Sequence, residues 1–356
     1  MNEKSREFLY KYLNNCSPTG FESEGQKIWI DYLKKYVDEW HLDNYGTAYG
    51  VINPGQDYKV VIEAHADEIA WYVNYVNDNG FIYVIRNGGS DHIIAPSKRV
   101  KIHTSNGIVK GVFGWPAIHV RRGKDATLSP TTENIFIDVG AKDKDEVAKM
   151  GIEVGDVITF EDELTEINHH YFAGRALDNR MGGFCIAEVA RMIKEKKLKL
   201  PYSLYIVNAV QEEIGLRGAE MIANTIKPNL AIITDVCHDT STPMIKKTEQ
   251  GEIFCGKGPS LTVSPAVHNI VLHLIKEVAK AKKIPYQMSA SSRSTGTDTD
   301  SFAYSNGGVP SALISIPLRY MHTTVEMAHK NDIDNVIKLI FETLKEVKKG
   351  QSFKYF

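Results

Sequence analysis

The sequence predicts an α/β protein: a layered α/β/α domain around a central mixed sheet, with a small β-barrel-like domain inserted into it. Apolar strands alternate with amphipathic helices from about residue 166 to the end of the 356-residue chain, as in layered α/β sheets. The helical period disappears between about 69 and 165, where short β-rich runs alternate with glycines. We therefore assign 1–68 and 166–356 to the layered domain and 69–165 to the insertion.

Residues 1–68 begin with a predicted helix, loop and helix. Apolar side chains recur at helical spacing on both sides of the turn 17–20, which contains proline and glycine. The residues that carry this spacing are Phe8, Leu9, Tyr12, Leu13, Ile28, Ile30, Leu33 and Val37. A strand pair, 48–52 and 60–63, follows and is bridged by a turn at 53–55.

The inserted segment is predicted to be β-rich, with one short helix at 144–150. Its β-rich runs are 81–86, 100–102, 107–113, 135–139 and 157–160. Short runs at this spacing, separated by glycines, are typical of a small barrel or sandwich. The segment therefore differs in kind from the chain on either side of it.

Three clear helices are predicted in the last region of the chain. They cover 186–196, 265–282 and 333–348. Ser264 is the predicted N-cap of the second helix, and Pro265 lies in its first turn, where a missing backbone N–H costs nothing. With the strands between them, these helices complete the predicted layers.

Composition excludes several classes of function. Lys and Arg total 42 against 44 Asp and Glu, and the net charge of −2 provides no field that attracts nucleic acid or anionic lipid. No apolar run approaches the ~20 residues of a membrane span, and the charged N-terminus is unlike a signal peptide. The 4 cysteines are far apart without a CxxC pair. We expect a cytoplasmic protein with neither a nucleic-acid nor a membrane partner.

Acidic and histidine residues follow four of the apolar, buried-looking runs. The residues concerned are His65 and Asp67, Glu212 and Glu213, Asp235, and His322. Because sites in open α/β sheets form outside the carboxyl ends of the strands, we expect these side chains to meet in one cleft. Asp178, which precedes a predicted helix, is expected to join them.

Two imidazoles with several carboxylates favour a pair of divalent metal ions. Nitrogen and oxygen ligands select Zn, Co or Mn over metals that prefer thiolates. Asp178 is the candidate for a carboxylate that bridges two ions roughly 3.5–4 Å apart. Because adjacent side chains at a strand end point apart, Glu213 can bind metal while Glu212 faces the water as general base. Asp67 is expected to accept the second N–H of His65 and to fix its tautomer.

Each of these residues also has an ordinary structural explanation. The pair Glu212 and Glu213 alone is typical of a solvated turn. Asp235 alone could cap a helix, and Asp178 with Asn179 could form an N-terminal cap. The combination favours a metal site, because several metal-type groups at one sheet edge are hard to obtain from independent causes. The sequence contains no Gly-x-Ser-x-Gly elbow, Walker loop or His-Glu-x-x-His motif that would favour another chemistry.

Six segments of the chain form a recognisable set. They are SPTGFE (17–22), AHADEIA (64–70), ALDNRMGG (176–183), AVQEEIGLRGA (209–219), ITDV (233–236) and GTDTDSFAYSNGGVPSALISIPLRYMH (296–322). In this order they resemble the tetrahedral (TET) aminopeptidases, the family of deblocking and glutamyl aminopeptidases, which are dinuclear metallo-exopeptidases of clan MH. The resemblance covers nearly the whole chain.

The resemblance implies a role for each candidate residue. The implied ligands are His65 and Asp235 for one ion, Glu213 and His322 for the other, and Asp178 as the bridge. Glu212 is then the catalytic base, and the peptide bond between Asp178 and Asn179 is cis. The inserted segment is implied to be a dimerisation domain, and the subunits to assemble into a tetrahedral dodecamer. The family usually has methionine and glycine where this chain has Ala66 and Ala70, but neither change removes a ligand.

The expected function is that of an aminopeptidase acting on peptides with a free N-terminus, through two metal ions and a bridging water activated by Glu212. A metal-dependent deacylase or amidohydrolase acting on acyl amino acids is the alternative that uses the same cluster. A glycosidase would use paired carboxylates without metal, and a structural assembly protein would have no reason to keep these residues. The loop 295–298 and Arg319 are candidates for the specificity pocket, although such an arginine is as often a structural charge partner.

Overall fold

Two amphipathic helices begin the structure. The structure, a computed structural model, describes residues 1–123 and 127–356. The helices are α1 (Glu3–Asn14) and α2 (Ser23–Leu33), on either side of the predicted turn. Their buried apolar residues are Phe8, Leu9, Tyr12, Leu13, Trp29, Ile30, Tyr32 and Leu33. Both helices therefore pack on the core by the faces that the spacing predicts.

The strands divide between a large mixed sheet and a closed barrel. The first strands of the sheet are β1 (Glu39–Leu42), β2 (Ala48–Ile52) and β3 (Lys59–His65). The barrel strands are β4 (Ala70–Val76), β5 (Ile82–Asn87), β6 (Arg99–Thr104), β7 (Gly107–Gly114), β8 (Phe136–Asp138) and β9 (Val157–Phe160). The later strands of the sheet are β10 (Thr165–Ile167), β11 (Tyr171–Gly174), β12 (Ser203–Ala209), β13 (Leu230–His238), β14 (Ser260–Val263), β15 (Gln287–Ala290), β16 (Ser311–Arg319) and β17 (Glu326–His329).

Helices lie between these strands along the chain. They are α3 (Lys144–Lys149), α4 (Leu177–Glu195), α5 (Arg217–Ile226), α6 (Lys247–Gln250), α7 (Asn269–Ala281), α8 (Asp298–Ala303) and α9 (Lys330–Glu346), with a 3-10 turn at Ile118–Val120. Helix α4 packs against α1, α2 and α9, and α5 packs against α8. None of the helices in the described residues has the length and apolar composition that a membrane crossing requires.

Four neighbouring strands at the centre of the sheet run parallel. The order across the sheet is β1-β2-β12-β3-β13-β16-β17-β11-β10, and β14 joins β15 to β16. Strands β12, β3, β13 and β16 are parallel to one another. Val60, Val61 and Ile62 of β3 have no exposed surface, as expected of strands covered on both faces. The carboxyl ends of these four strands therefore open at a single edge of the sheet.

The predicted pairing of 48–52 with 60–63 is wrong. Both segments are strands, but β12 lies between them, antiparallel to β2 and parallel to β3. Leu204, Ile206 and Val207 of β12 are fully buried. A strand that is apolar on both faces is stabilised at the centre of a sheet, and β12 therefore separates two strands that are neighbours in the chain.

The N-cap predicted for the second late helix is also wrong. Helix α7 begins at Asn269, with His268 in the capping position instead of Ser264. The backbone N–H of His268 donates to the carbonyl of Ser311 at 2.8 Å. That bond ties the residues before the helix to the start of β16 and keeps them out of the helix.

Helix α4 begins earlier than its apolar pattern indicates. The prediction started at 186, but α4 starts at Leu177, and its regular turns follow Asp178 and Asn179, whose backbone angles are not helical. Gly182 and Gly183 interrupt the pattern because the first turns are packed too closely for side chains. A Cβ on Gly182 would lie 2.2 Å from Asn179 Oδ1, and one on Gly183 would lie 2.8 Å from the Tyr12 hydroxyl.

The β-rich segment forms a closed barrel, which confirms the predicted barrel-like insertion. Its strands join in the ring β4-β5-β8-β7-β6-β9, in which β9 pairs with β4. The barrel encloses a core of its own, with Trp71, Phe113, Ile137 and Ile158 almost fully buried. Strand β4 was missed by the prediction, although it closes the ring. Closure of the ring leaves these six strands without a free edge for pairing to the large sheet.

Candidate metal centre

The carboxyl ends of the parallel strands carry the side chains that the sequence indicates. Strand β3 ends at His65. The loop after β12 carries Glu212 and Glu213, and the loop after β16 carries His322. Asp235 lies inside β13, where it caps no helix. All of these side chains line one cleft at the shared edge of the sheet.

Asp178 lies between the two imidazoles. Its Oδ1 is 3.2 Å from His65 Nε2, and its Oδ2 is 3.4 Å from His322 Nε2. Glu213 Oε2 lies 3.4 Å from His322 Nε2, whereas Asp235 Oδ1 lies 3.8 Å from His65 Nε2. Asp178 therefore joins two halves of the cluster, one around His65 with Asp235 and one around His322 with Glu213. Glu212 is also within reach of His65 and Asp235.

Glu212 faces the same cluster from the loop after β12. Its Oε2 lies 3.8 Å from His65 Nε2, and 11% of its side chain is exposed, against 5% for Glu213. A solvated turn would leave both glutamates open to water. Their burial beside the imidazoles shows that this turn belongs to the cleft and is not an ordinary surface turn.

The segment that carries Asp178 has an unusual backbone. It follows Ala176, which has a φ of 58°, and the peptide bond from Asp178 to Asn179 is cis, as the resemblance implies. Asn179 acts as the helix cap: its Oδ1 accepts from the Gly182 N–H at 3.1 Å, and its Nδ2 donates to the carbonyl of Thr234 at 2.7 Å. The Asp178 carboxylate is therefore left to face the imidazoles.

Asp67 organises the loop beside the cluster. His65 Nδ1 lies 3.2 Å from the carbonyl oxygen of Asp67 and 3.3 Å from Oδ1 of Asp67. An N–H at Nδ1 therefore has an acceptor, and Nε2 of His65 faces Asp178. The carboxylate also accepts the backbone N–H groups of Glu212 at 3.0 Å and Glu213 at 3.1 Å, and the Thr19 hydroxyl at 2.9 Å. It therefore holds the two glutamates as well as the histidine.

Comparison with known proteins assigns the chain to a family. The family model of the M42 glutamyl aminopeptidases matches residues 46–339. A lysyl aminopeptidase from Pyrococcus furiosus is 34% identical over 346 residues, which cover 96% of this chain and 97% of that protein. The chain belongs to the M42 aminopeptidase family. The resemblance found in the sequence is thereby confirmed.

Solved structures agree with this assignment. A TET aminopeptidase from a marine sediment thaumarchaeon superimposes with a TM-score of 0.92 at 29% identity and covers 97% of both chains. An aminopeptidase from the archaeon Desulfurococcus kamchatkensis superimposes with a TM-score of 0.89 at 31% identity. The match covers 97% of this chain and 96% of that aminopeptidase. This M42 protein is a metal-dependent aminopeptidase, and therefore a hydrolase.

The charges in the cleft of this M42 aminopeptidase suit divalent cations. Burial raises the pKa of Glu212 to about 10, and the neighbouring Asp235 adds to the rise. Burial lowers the pKa of His322, but hydrogen bonds with Asp178 and Glu213 raise it overall to about 11. Both groups therefore hold protons at neutral pH, in a cluster whose carboxylate oxygens and imidazole nitrogens fit Zn, Co or Mn. The positive charge of a bound cation would favour the loss of both protons.

Binding of Zn²⁺ to the metal-free protein at neutral pH is expected to release protons. Because the pKa values of Glu212 and His322 are raised to about 10 and about 11, both groups are protonated below those values. His322 loses its proton as a ligand, and Glu212 loses its proton because the nearby positive charge lowers its pKa. The affinity should accordingly rise with pH up to that range. Titration calorimetry in buffers of different ionisation enthalpy measures the release, and an observed enthalpy that is independent of the buffer would contradict it.

A cleft of about 680 Å³ opens over the cluster. The predicted specificity loop contributes Thr295, Gly296 and Thr297 to its wall. Arg319 is not one of the described residues that line the cleft. Its Nε donates to Asp239 Oδ2 at 3.3 Å. The structure therefore favours the charge-partner explanation for this arginine.

Several buried carboxyl groups around the site were missed by the sequence reasoning. Glu63 and Asp298 lie against each other and are 0% and 1% exposed, and burial raises the pKa of Glu63 to about 8. Glu326, beside Asp178 and His322, is 2% exposed. Glu63 could have been found from the sequence, because it is an acidic residue inside the apolar run that leads to His65. No local pattern distinguished Glu326.

Proposed function

We propose that this aminopeptidase removes N-terminal residues from peptides with a free α-amine at a dinuclear metal centre. One observation carries the proposal. The two oxygens of Asp178 each face a different imidazole, at 3.2 Å from His65 and 3.4 Å from His322, which is the arrangement that a bridging carboxylate needs. Each half of the cluster then has one further carboxylate, from Asp235 or Glu213.

The proposed ligands follow from these two halves. His65 and Asp235 would hold one ion, His322 and Glu213 the other, and Asp178 both. Zinc and cobalt are the proposed ions, and manganese fits the same donors. When bound, such ions polarise the scissile carbonyl and lower the pKa of a shared water.

The residues of the chain supply the proton transfers. Glu212 would take a proton from the attacking water and deliver it to the leaving amine, since its carboxyl group lies beside the cluster, 3.8 Å from His65 Nε2, in the wall of the cleft. Asp67 would keep Glu212 in place through the backbone N–H that it accepts at 3.0 Å. Only 11% of the Glu212 side chain is exposed, and that part lines the cleft in which a substrate would bind.

Free and N-acetylated aminoacyl reporter substrates test this proposal. The protein should cleave the free compounds and be at least ~100-fold slower on the acetylated ones, because an acetyl group removes the free amine that such a site binds. Chelation should abolish cleavage, and added zinc or cobalt should restore it. Comparable rates on acetylated substrates would favour the deacylase, and full activity after chelation would favour chemistry without metal.

We further propose that 69–165 is an inserted dimerisation domain and that the subunits assemble into a tetrahedral dodecamer. The barrel has a separate core, and it exposes large apolar side chains such as Ile93, Ile108 and Val154, which are 64%, 57% and 69% exposed. Such residues suit an interface. A cytoplasmic location is proposed because all of the cysteines carry free thiols.

A further inference from the structure

A buried carboxylate outside the proposed ligand set connects two parts of the metal centre. Oε1 of Glu326 accepts a hydrogen bond from the backbone N–H of His322 at 2.7 Å, and Oε2 accepts one from the backbone N–H of Asp178 at 3.1 Å. Glu326 begins β17, where it pairs with Gly174 at the end of β11. It therefore ties the loop that carries His322 to the segment that carries Asp178.

Both connected segments contain backbone conformations that are unfavourable for residues with a Cβ. Ala176 has a φ of 58°, Tyr320 of 59° and His322 of 61°. Residues in this left-handed region keep such a conformation only where surrounding contacts fix it. The carboxylate of Glu326 supplies one such contact to each segment, directly at the residues that face the cluster.

Asp67 plays the same part on the other side of the site. Its two oxygens accept the backbone N–H groups of Glu212 and Glu213 at 3.0 and 3.1 Å, as those of Glu326 accept the N–H groups of Asp178 and His322. Buried carboxylates thus hold the backbone of both pairs of site residues. Each of these carboxyl groups therefore fixes the backbone at two site residues at once.

We propose that Glu326 is a positioning residue that sets the distance between Asp178 and His322 for metal binding. It does so through their backbones, and both of its oxygens are engaged with amides instead of pointing at the cluster. The proposal depends on the proposed function, because it takes Asp178 and His322 as ligands. Groups that orient metal ligands in this way typically contribute ~10- to 100-fold to metal affinity.

Substitution Glu326→Gln tests the proposal with little change in shape. Glutamine keeps one oxygen as an acceptor but places an NH₂ group against the other backbone N–H. One of the two segments therefore loses its hydrogen bond to residue 326. The affinity for the more weakly bound Zn²⁺ should fall at least ~10-fold in a competition titration with a chromophoric chelator. Native mass spectrometry at limiting zinc should then detect one ion in the variant where the parent holds two.

Asp332→Asn is the matched control. Asp332 is 0% exposed, and its carboxylate accepts the backbone N–H groups of Gly256 at 2.5 Å and Gly258 at 2.8 Å, outside the cleft wall. Its loss should lower the thermal unfolding midpoint of the metal-free protein and leave both zinc affinities at the parent values. A purely structural role for Glu326 would give the same result as this control.

Parent-like affinity for both ions in Glu326→Gln overturns the proposal, whatever the stability of the variant. If circular dichroism finds Glu326→Gln unfolded, Glu326→Asp is titrated instead. Aspartate keeps the charge but is one methylene too short to reach both amides, so that unchanged affinity in that variant overturns the proposal equally. A parent protein that binds no zinc would instead overturn the dinuclear function on which the proposal rests.

Discussion

Glu212→Gln is expected to lower kcat by at least ~100-fold while leaving two metal ions bound. Glutamine has nearly the same shape but cannot take a proton from water. Glu212 lies as close to His65 Nε2 as Asp235 does, at 3.8 Å, but the proposed function gives it the proton transfer and gives the ions to the other carboxylates, so that the loss of its charge should stop turnover and keep the ions. Steady-state cleavage of an aminoacyl reporter gives kcat, and native mass spectrometry gives the number of ions per subunit.

An exposed glutamate on the next helix provides the control for this change. Glu220 lies on α5, and 61% of its side chain is exposed. Glu220→Gln should therefore leave kcat unchanged. Near-parent turnover in Glu212→Gln would remove Glu212 from the mechanism, whereas loss of metal in that variant would move it into the ligand set.

Asp178→Ala is expected to release metal and to abolish turnover. Asp178 is the carboxylate whose two oxygens face both imidazoles, at 3.2 and 3.4 Å. Loss of a group that only orients a metal ligand can lower metal affinity by ~100-fold, and loss of Asp178, a proposed ligand, should lower it by at least as much. We expect native mass spectrometry to detect fewer than two ions per subunit. The far-ultraviolet circular dichroism spectrum should be unchanged.

Asp178→Asn separates the charge of this residue from its shape. An asparagine offers one carbonyl oxygen and no negative charge, so that it cannot attract two cations equally. It should bind fewer ions than the parent and more than Asp178→Ala. Full occupancy in both variants would refute the bridging role and leave the remaining four side chains as the metal site.

The meeting of the site residues could be predicted because it follows from parallel strands. His65 ends an apolar run, and Glu212, Glu213 and His322 come shortly after others. Once these runs are strands of one parallel sheet, their carboxyl ends lie together, whatever the order of the strands. The positions of the buried carboxyl groups around the site, such as Glu326, do not follow from the direction of the strands. Glu326 holds Asp178, which is far from it in the chain, and that contact exists only in the folded protein.

The amino-acid sequence by itself indicated the main helices and several of the strands, a barrel-like segment inside a layered domain, and the side chains that line the cleft at the edge of the sheet. These depend on local periodicity, because a buried face repeats at the period of its own helix or strand. Only the tertiary structure decided that β12 separates β2 from β3, that α7 begins after His268, and that Glu326 connects Asp178 to His322. Such features arise from hydrogen bonds and packing between distant segments, which leave no repeating pattern in the chain.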